Sequence, residues 1–296
     1  MTSRTDRTRF ALTFDSDAKP SQLEKIREII NHRYLLRNLV VRDLKARYKN
    51  SIFGVFWNLL NPLLMMTVYT LLFTRLLAGN SIPNFALFIL IGLVPWQFLT
   101  GTLSGGVNAV IANASLVNKV YFPRILLPIS ALLSNFINFL FAASLVLGML
   151  YIYGIGLTIH ALWVPAILFT QLVFMLGLAM LISALNTFYR DVGMILDVVM
   201  LAWFFLTPIF YPFEQFAEYA TVAGLTFDVA RVMRWVNPMA SIIDGYRTVL
   251  WGNASGVGPG SMDPLNLLRT LFTSMIIFVI GYVVFNRTQH LFGERL

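Results

Sequence analysis

Residues 125–153 read ILLPISALLSNFINFLFAASLVLGMLYIY and decide the fold, because the run contains no charged side chain. A helix of about 20 apolar residues crosses the roughly 30 Å hydrocarbon core of a bilayer. This run exceeds that length, and a helix that is apolar all round needs burial on every side. We therefore expect a transmembrane helix here.

Five further apolar runs flank this one. Of the 296 residues, 57% are hydrophobic and 12% are charged, whereas globular domains carry about 25% charged residues. The composition excludes a water-soluble protein and predicts an all-α integral membrane protein with six transmembrane helices. The predicted spans are 53–77, 84–109, 125–153, 162–187, 194–212 and 265–286.

The basic residues predict the orientation of these spans. Twelve of the 22 Lys and Arg residues precede Ser51, just before the first span. The loops 110–124 and 188–193 carry Lys or Arg, whereas the loops 78–83 and 154–161 carry neither. Because cytoplasmic loops are enriched in these residues, we expect both termini in the cytoplasm. The membrane topology therefore accounts for the net charge of +8, and we expect no nucleic-acid partner.

The N-terminal segment predicts a surface helix. Ser21 and Glu24 form a capping box, which marks a helix start. Leu23, Ile26, Ile30 and Tyr34 then share one helical face. Such a helix either lies on the membrane surface or packs on a soluble partner. The expected organisation is a polar tail at 1–20, cytoplasmic interface helices at 21–51, a transmembrane domain at 52–287 and a cytoplasmic tail at 288–296.

Residues 213–263 do not fit a simple span. They remain amphipathic but are interrupted by Gly224 and by the pair Asn237–Pro238. Irregular backbone at membrane depth is tolerated only where protein or a water-filled cavity surrounds it. The pattern predicts short re-entrant helices before the last span, with a plain external loop as the alternative.

The chain offers no residues for catalysis or metal binding. It has no cysteine, its three histidines lie in separate segments, and it lacks the G-x-x-x-x-G-K-[ST] loop that cradles nucleotide phosphates. We therefore expect no catalytic residue, no metal site and no cofactor in this chain. If this chain moves a substrate uphill, the energy must come from another polypeptide.

Several stretches, in order, resemble the ABC-2 type permeases that export bacterial O-antigen, capsule or teichoic acid. They are RDLKARYKNSIFGVFW at 42–57 with Asn61–Pro62, GLVPW at 92–96, residues 113–128, residues 190–192 with 207–211, and residues 237–238 with 246–247. The resemblance implies a homodimer in the cell inner membrane, paired with two copies of an ABC nucleotide-binding subunit that binds the ATP and Mg. It also implies a lipid-linked polysaccharide as substrate.

The resemblance assigns the loop before the third span to coupling with the ATPase. A short, partly apolar loop joined rigidly to two spans can transmit closure of a partner, and Pro123 fixes the turn into the span. The alternative is that the basic residues of the loop only set topology. The candidate coupling residues are Asn113, Leu116, Asn118, Lys119, Val120, Tyr121, Phe122 and Arg124.

Basic residues just before the first span are candidates for contact with a lipid diphosphate or another headgroup. At helical spacing Asn38, Arg42, Lys45 and Lys49 share a face, and Arg offers paired donors for phosphate. The alternative is plain attraction to anionic membrane lipids. The candidate contact residues are Arg42, Lys45, Arg47 and Lys49.

Aromatic residues are numerous for six spans. Stacking on sugar faces would guide a glycan through a channel, whereas interfacial belts and packing need no cargo. Tyr69, Trp96 and Tyr211 are the candidates for channel lining.

Together these features predict the permease subunit of an ATP-driven exporter of an O-antigen-like, lipid-linked polysaccharide, which is not itself an enzyme. A teichoic-acid or capsule exporter, or an ABC-2 exporter of small amphipathic drugs or lipids, is the alternative within transport. A glycan-assembly enzyme and a passive channel are the alternatives from other classes.

Overall fold

The helices follow the apolar runs of the sequence. The computed structural model describes residues 22–76, 82–213, 220–222 and 225–296, so the predicted tail at 1–20 and Ser21 lie outside it. The N-terminal and central helices are α1 (Gln22–Asn31), α2 (Arg33–Tyr48), α3 (Trp57–Leu71), α4 (Phe85–Asn108), α5 (Ala114–Lys119) and α6 (Leu126–Ile152). The remaining helices are α7 (Val164–Phe188), α8 (Val192–Leu206), α9 (Val229–Val236), α10 (Pro238–Leu250), α11 (Pro264–Thr288) and α12 (Phe292–Arg295).

Short elements extend or connect these helices. A 3-10 turn precedes α3 and a π-helical turn follows it. Two strands, β1 (Ala220–Val222) and β2 (Leu225–Phe227), form an antiparallel hairpin in which Thr221 pairs with Thr226. The sequence predicted short re-entrant helices or a plain external loop in this region and did not predict the hairpin. The short helices α9 and α10 follow it.

Five helices in the described residues are long and apolar enough to cross a membrane. Their bounds are Gly54–Arg75, Phe85–Asn108, Leu126–Ile152, Ile159–Phe188 and Pro264–Arg295. The remaining predicted span, 194–212, is the fifth in chain order and corresponds to α8, which has 15 residues. At about 1.5 Å per residue, α8 is roughly 22 Å long and therefore shorter than the hydrocarbon core.

Helix α4 is the centre of the bundle. It contacts α3, α6, α7, α8 and α10, and 78% of its most apolar stretch is buried, against 11% for α3 and 17% for α11. Helices α7 and α11 approach each other most closely at Gly177, where a Cβ atom would lie 2.5 Å from the Cα of Phe278. Small residues at such crossings let two backbones touch.

One apolar cluster, which we call the basal cluster, joins both ends of the described chain. It unites Leu39 of α2, Val117 and Phe122 around α5, Phe285 of α11 and Phe292 of α12. Residues from the start of α6 and the end of α7 complete it. The first and last helices therefore lie at the same end of the bundle, which we call the basal end.

At the opposite end, α8 gives way to a buried non-helical segment, 207–213. Arg247 of α10 stabilises this segment by donating hydrogen bonds to the carbonyl oxygens of Pro208 and Ile209, the latter at 2.6 Å. Its guanidinium also stacks 3.6 Å from the ring centroid of Phe88. A Cβ atom at Gly92 would lie 2.6 Å from Nη2 of Arg247. The guanidinium of Arg247 therefore packs directly against the backbone of α4 at Gly92.

Candidate coupling site and polar cavity

The loop between α4 and α6 projects from the basal end and exposes an apolar tip. Helix α5 ends at Lys119, and Val120 follows it in an extended conformation. Val120 is 50% exposed and Tyr121 is 91% exposed, and Asn118 and Lys119 are exposed beside them. The tip therefore presents one aliphatic and one aromatic side chain to its surroundings.

Apolar contacts on both sides of the tip hold the loop in place. Val117 precedes the tip and Phe122 follows it, and both are buried in the basal cluster. Leu116 packs against the same cluster. The tip is therefore a short exposed segment between two buried anchors.

Hydrogen bonds tie the loop to the two ends of the chain. Arg42 of α2 donates to Oδ1 of Asn113 at 2.7 Å, and Nδ2 of Asn113 donates to the carbonyl of Ala109. On the other side, Arg124 donates to the carbonyl of Gln289. The eight predicted coupling residues thus divide into exposed tip residues and buried or half-buried anchors, a division that the sequence did not reveal.

The predicted basic contact residues lie along α2 and after it, at the same end. Arg42 is engaged, because it forms an ion pair with Asp43 at 2.8 Å as well as its bond to Asn113. Lys45, Arg47 and Lys49 are exposed. Arg47 differs from the two lysines because it also lines a cavity that enters the bundle.

The predicted surface helix has two faces. Leu39 is buried, and Ile29, Leu35 and Leu36 pack against the basal cluster. Ile30 and Tyr34, which the sequence placed on the apolar face, are exposed. The side chains of Leu23 and Ile26 lie outside the description.

The cavity has a volume of about 250 Å³ and lies where α2, α3, α4 and α6 meet. The Tyr48 hydroxyl lies 2.7 Å from Oδ1 of Asn138 and 2.9 Å from Oδ1 of Asn58. Nδ2 of Asn58 also donates to Asn138, at 3.1 Å. This cavity was not predicted from the sequence. Its signal is the recurrence of asparagine at a spacing of three, at 58 and 61 in α3 and at 135 and 138 in α6.

The predicted lining residues belong to one aromatic cluster between α3, α4 and α8. The ring centroids of Tyr69 and Phe210 are 4.6 Å apart, and those of Trp96 and Phe204 are 5.6 Å apart. Trp96 is only 5% exposed, so it faces the inside of the subunit in this conformation. The Tyr211 hydroxyl donates to the carbonyl of Phe205 at 3.2 Å, and its ring is half-buried.

Comparison with known proteins identifies the family. The family model described as ABC-2 type transporter matches residues 34–251, which include α2, the exposed tip, the cavity and the Arg247 contacts. The chain belongs to the ABC-2 type transporter family. The resemblance inferred from the sequence is thereby confirmed, and so is the prediction that the chain is a transporter permease and not an enzyme.

Curated relatives agree along almost the whole chain. The O-antigen export system permease protein RfbA of Myxococcus xanthus is 36% identical over 271 residues, which are 92% of this chain and 98% of that protein. Two proteins of the same name from Klebsiella pneumoniae are 31% and 30% identical over 273 residues each, covering 90% of this chain and 97% of each relative.

Proposed function

We propose that this chain is the membrane-spanning subunit of an ATP-driven exporter that moves a lipid-linked, O-antigen-like polysaccharide across the bacterial inner membrane. The observation that carries the proposal is the match to an O-antigen export permease over 92% of this chain and 98% of the relative. ABC-2 permeases rely on a separate ABC ATPase. Two copies of each subunit, with both termini in the cytoplasm, form the proposed assembly.

The exposed tip of the α4–α6 loop receives the force of the ATPase in this proposal. Tyr121 and Val120 offer apolar surface to a cleft on the partner, and Val117 and Phe122 hold the loop against the spans. Closure of the two ATPase subunits would therefore move α4 and α6 as rigid bodies. The basal end would face the cytoplasm, in agreement with the basic residues of α2 and this loop.

The polymer channel is proposed to lie along α3 and α8. Both helices expose apolar faces, and α8 also exposes Asp197, which makes no ion pair within the described residues. A carboxylate facing lipid costs several kcal/mol, so a water-filled channel between two copies of the chain suits this face better. Helix α8 would form the fifth of the six spans together with the buried segment 207–213.

A pair of charge substitutions tests the proposal. V120D together with Y121D should abolish export and let glycan accumulate inside the cell, because two carboxylates would have to be buried in the ATPase cleft. Y151D is the matched control, since Tyr151 is a 64% exposed tyrosine at the other end of α6. It should leave export unchanged.

The assay is glycan export by cells that carry each variant, with the amount of folded complex measured in parallel. Normal export by the double variant would overturn the coupling role of the tip. An ATPase that responds to amphipathic drugs and not to lipid-linked glycan would overturn the proposed substrate.

A further inference from the structure

The cavity between α2, α3, α4 and α6 gathers five side-chain amides inside the membrane-spanning bundle. An amide removed from water costs free energy unless it is hydrogen-bonded, and polar residues within spans usually serve a function. Of the five amides, one is buried, three are half-buried and Asn61 is exposed, so most of the set is open to a ligand and is not simply core packing. The five are Asn58, Asn61, Gln97, Asn135 and Asn138.

Part of this amide set is fixed by internal contacts. Tyr48, Asn58 and Asn138 hydrogen-bond to one another, and Asn135 donates to the carbonyl of Ala131 at 2.8 Å. A Cβ atom at Gly101 would lie 2.6 Å from Oδ1 of Asn135, so the glycine lets this asparagine lie against α4. These contacts hold the cavity wall in one shape before any ligand arrives.

The other amide groups of the cavity keep hydrogen-bonding capacity for a ligand. Nδ2 of Asn138 is buried and has no hydrogen-bond partner among the described residues. The side chains of Asn61 and Gln97 line the cavity and make no hydrogen bond within the described part of the chain. An amide offers both donors and acceptors, which is the combination that the hydroxyl groups of a sugar satisfy.

The same cavity carries a cation and an indole ring. Arg47 presents a guanidinium, which suits phosphate because it offers paired donors in a plane. Trp57 is partly exposed at the same wall, and an indole offers an apolar face with one polar edge. The volume corresponds to about eight water molecules at roughly 30 Å³ each, so it fits one sugar ring and not a chain of sugars.

We infer that this cavity recognises the first sugar of the lipid-linked glycan together with the phosphate to which it is attached. Arg47 binds the phosphate, the free amides bind the hydroxyl groups of the sugar, and Trp57 covers the apolar face of the ring. The inference rests on the proposed function, because it concerns the part of the substrate that lies at the level of the lipid headgroups. It adds sugar recognition to a site where the sequence indicated only a headgroup contact.

Binding of two lipids separates the contributions of sugar and phosphate. The complex of permease and ATPase is placed in phosphatidylcholine nanodiscs, and binding is measured for radiolabelled polyprenyl diphosphate with and without one N-acetylglucosamine. N61L and Q97L should each weaken binding of the sugar-bearing lipid roughly two- to tenfold, which is the equivalent of one hydrogen bond. These two variants should bind the sugar-free lipid as the wild type does. R47Q should weaken binding of both lipids by the same factor.

The controls distinguish this inference from folding defects and from the proposed function. N108L changes an exposed amide of α4 that does not line the cavity, and it should bind both lipids normally. Equal effects of N61L and Q97L on both lipids, or no effect, would overturn the inference while export remains intact. The binding measurement is repeated with phosphatidylglycerol in place of half of the phosphatidylcholine. If R47Q then binds both polyprenyl lipids as the wild type does, Arg47 contacts membrane lipid and the proposed phosphate contact is overturned. A wild-type complex that binds neither lipid would instead refute the proposed function.

Discussion

Substitution of Arg247 by methionine should destabilise the bundle by several kcal/mol. The side chain is 4% exposed and donates to the carbonyl oxygens of Pro208 and Ile209. A hydrogen bond to a charged group contributes about 1.5–3 kcal/mol, and an acceptor left unpaired in the interior costs about 1–3 kcal/mol. Removing the buried charge returns part of this cost. We expect a net loss of about 3–5 kcal/mol in the free energy of unfolding.

Unfolding of the purified chain in mixed micelles of increasing denaturing-detergent content measures this loss, with tryptophan fluorescence as the signal. A double-mutant cycle with Gly92 makes the test specific. G92A alone should destabilise, because its Cβ atom would lie 2.6 Å from the guanidinium. In the R247M background the same change should cost at least 1 kcal/mol less, because the clash is gone. A loss below 1 kcal/mol for R247M, or strict additivity in the cycle, would refute the reasoning.

Two further substitutions test the packing that holds the functional parts together. G177L should separate α7 from α11, since even a Cβ atom would lie 2.5 Å from the Cα of Phe278. We expect the unfolding free energy to fall by about 1–3 kcal/mol, and stability equal to that of the wild type would contradict the close crossing. F122A should cost about 3–5 kcal/mol in the same assay because Phe122 is buried, whereas V120A, at a half-exposed position, should cost less than about 1 kcal/mol. Equal losses at these two positions would contradict the division of the loop into anchor and tip.

The long spans were predictable because their signal is local. Residues 84–109 and 125–153 contain no charge for more than 20 residues, and the observed α4 and α6 begin and end within one residue of these limits. No packing detail was needed, because a bilayer imposes its thickness on any such helix.

The end of α8 could not be predicted in the same way. The apolar run continues to residue 212, yet the helix stops at Leu206. Pro208 lacks an N–H group and disfavours helical backbone at the residue before it. Arg247, which lies 39 residues beyond Pro208 in the chain, donates to the carbonyl groups of Pro208 and Ile209 in the non-helical segment after the break. Such long-range compensation leaves no mark in a local window of sequence.

The candidate site shows the same limit. The sequence identified the loop at 113–124 through its motif, but only packing reveals that Phe122 is an anchor while Tyr121 is exposed. The asparagines at 58 and 138 are visible as isolated polar residues in apolar runs. Their 3.1 Å contact joins α3 to α6 across 80 residues and follows from the bundle alone.

Cross-linking at Tyr121 tests the central claim most directly, and the absence of cysteine from the chain makes a single reporter thiol possible. Y121C, coexpressed with the ATPase subunit in membranes, should form a cross-link to that subunit through a short bifunctional maleimide. In intact cells the same thiol should be protected from a membrane-impermeant maleimide. Labelling of Y121C from outside the cell, with no cross-link to the ATPase, would place the tip on the wrong side of the membrane and contradict the account.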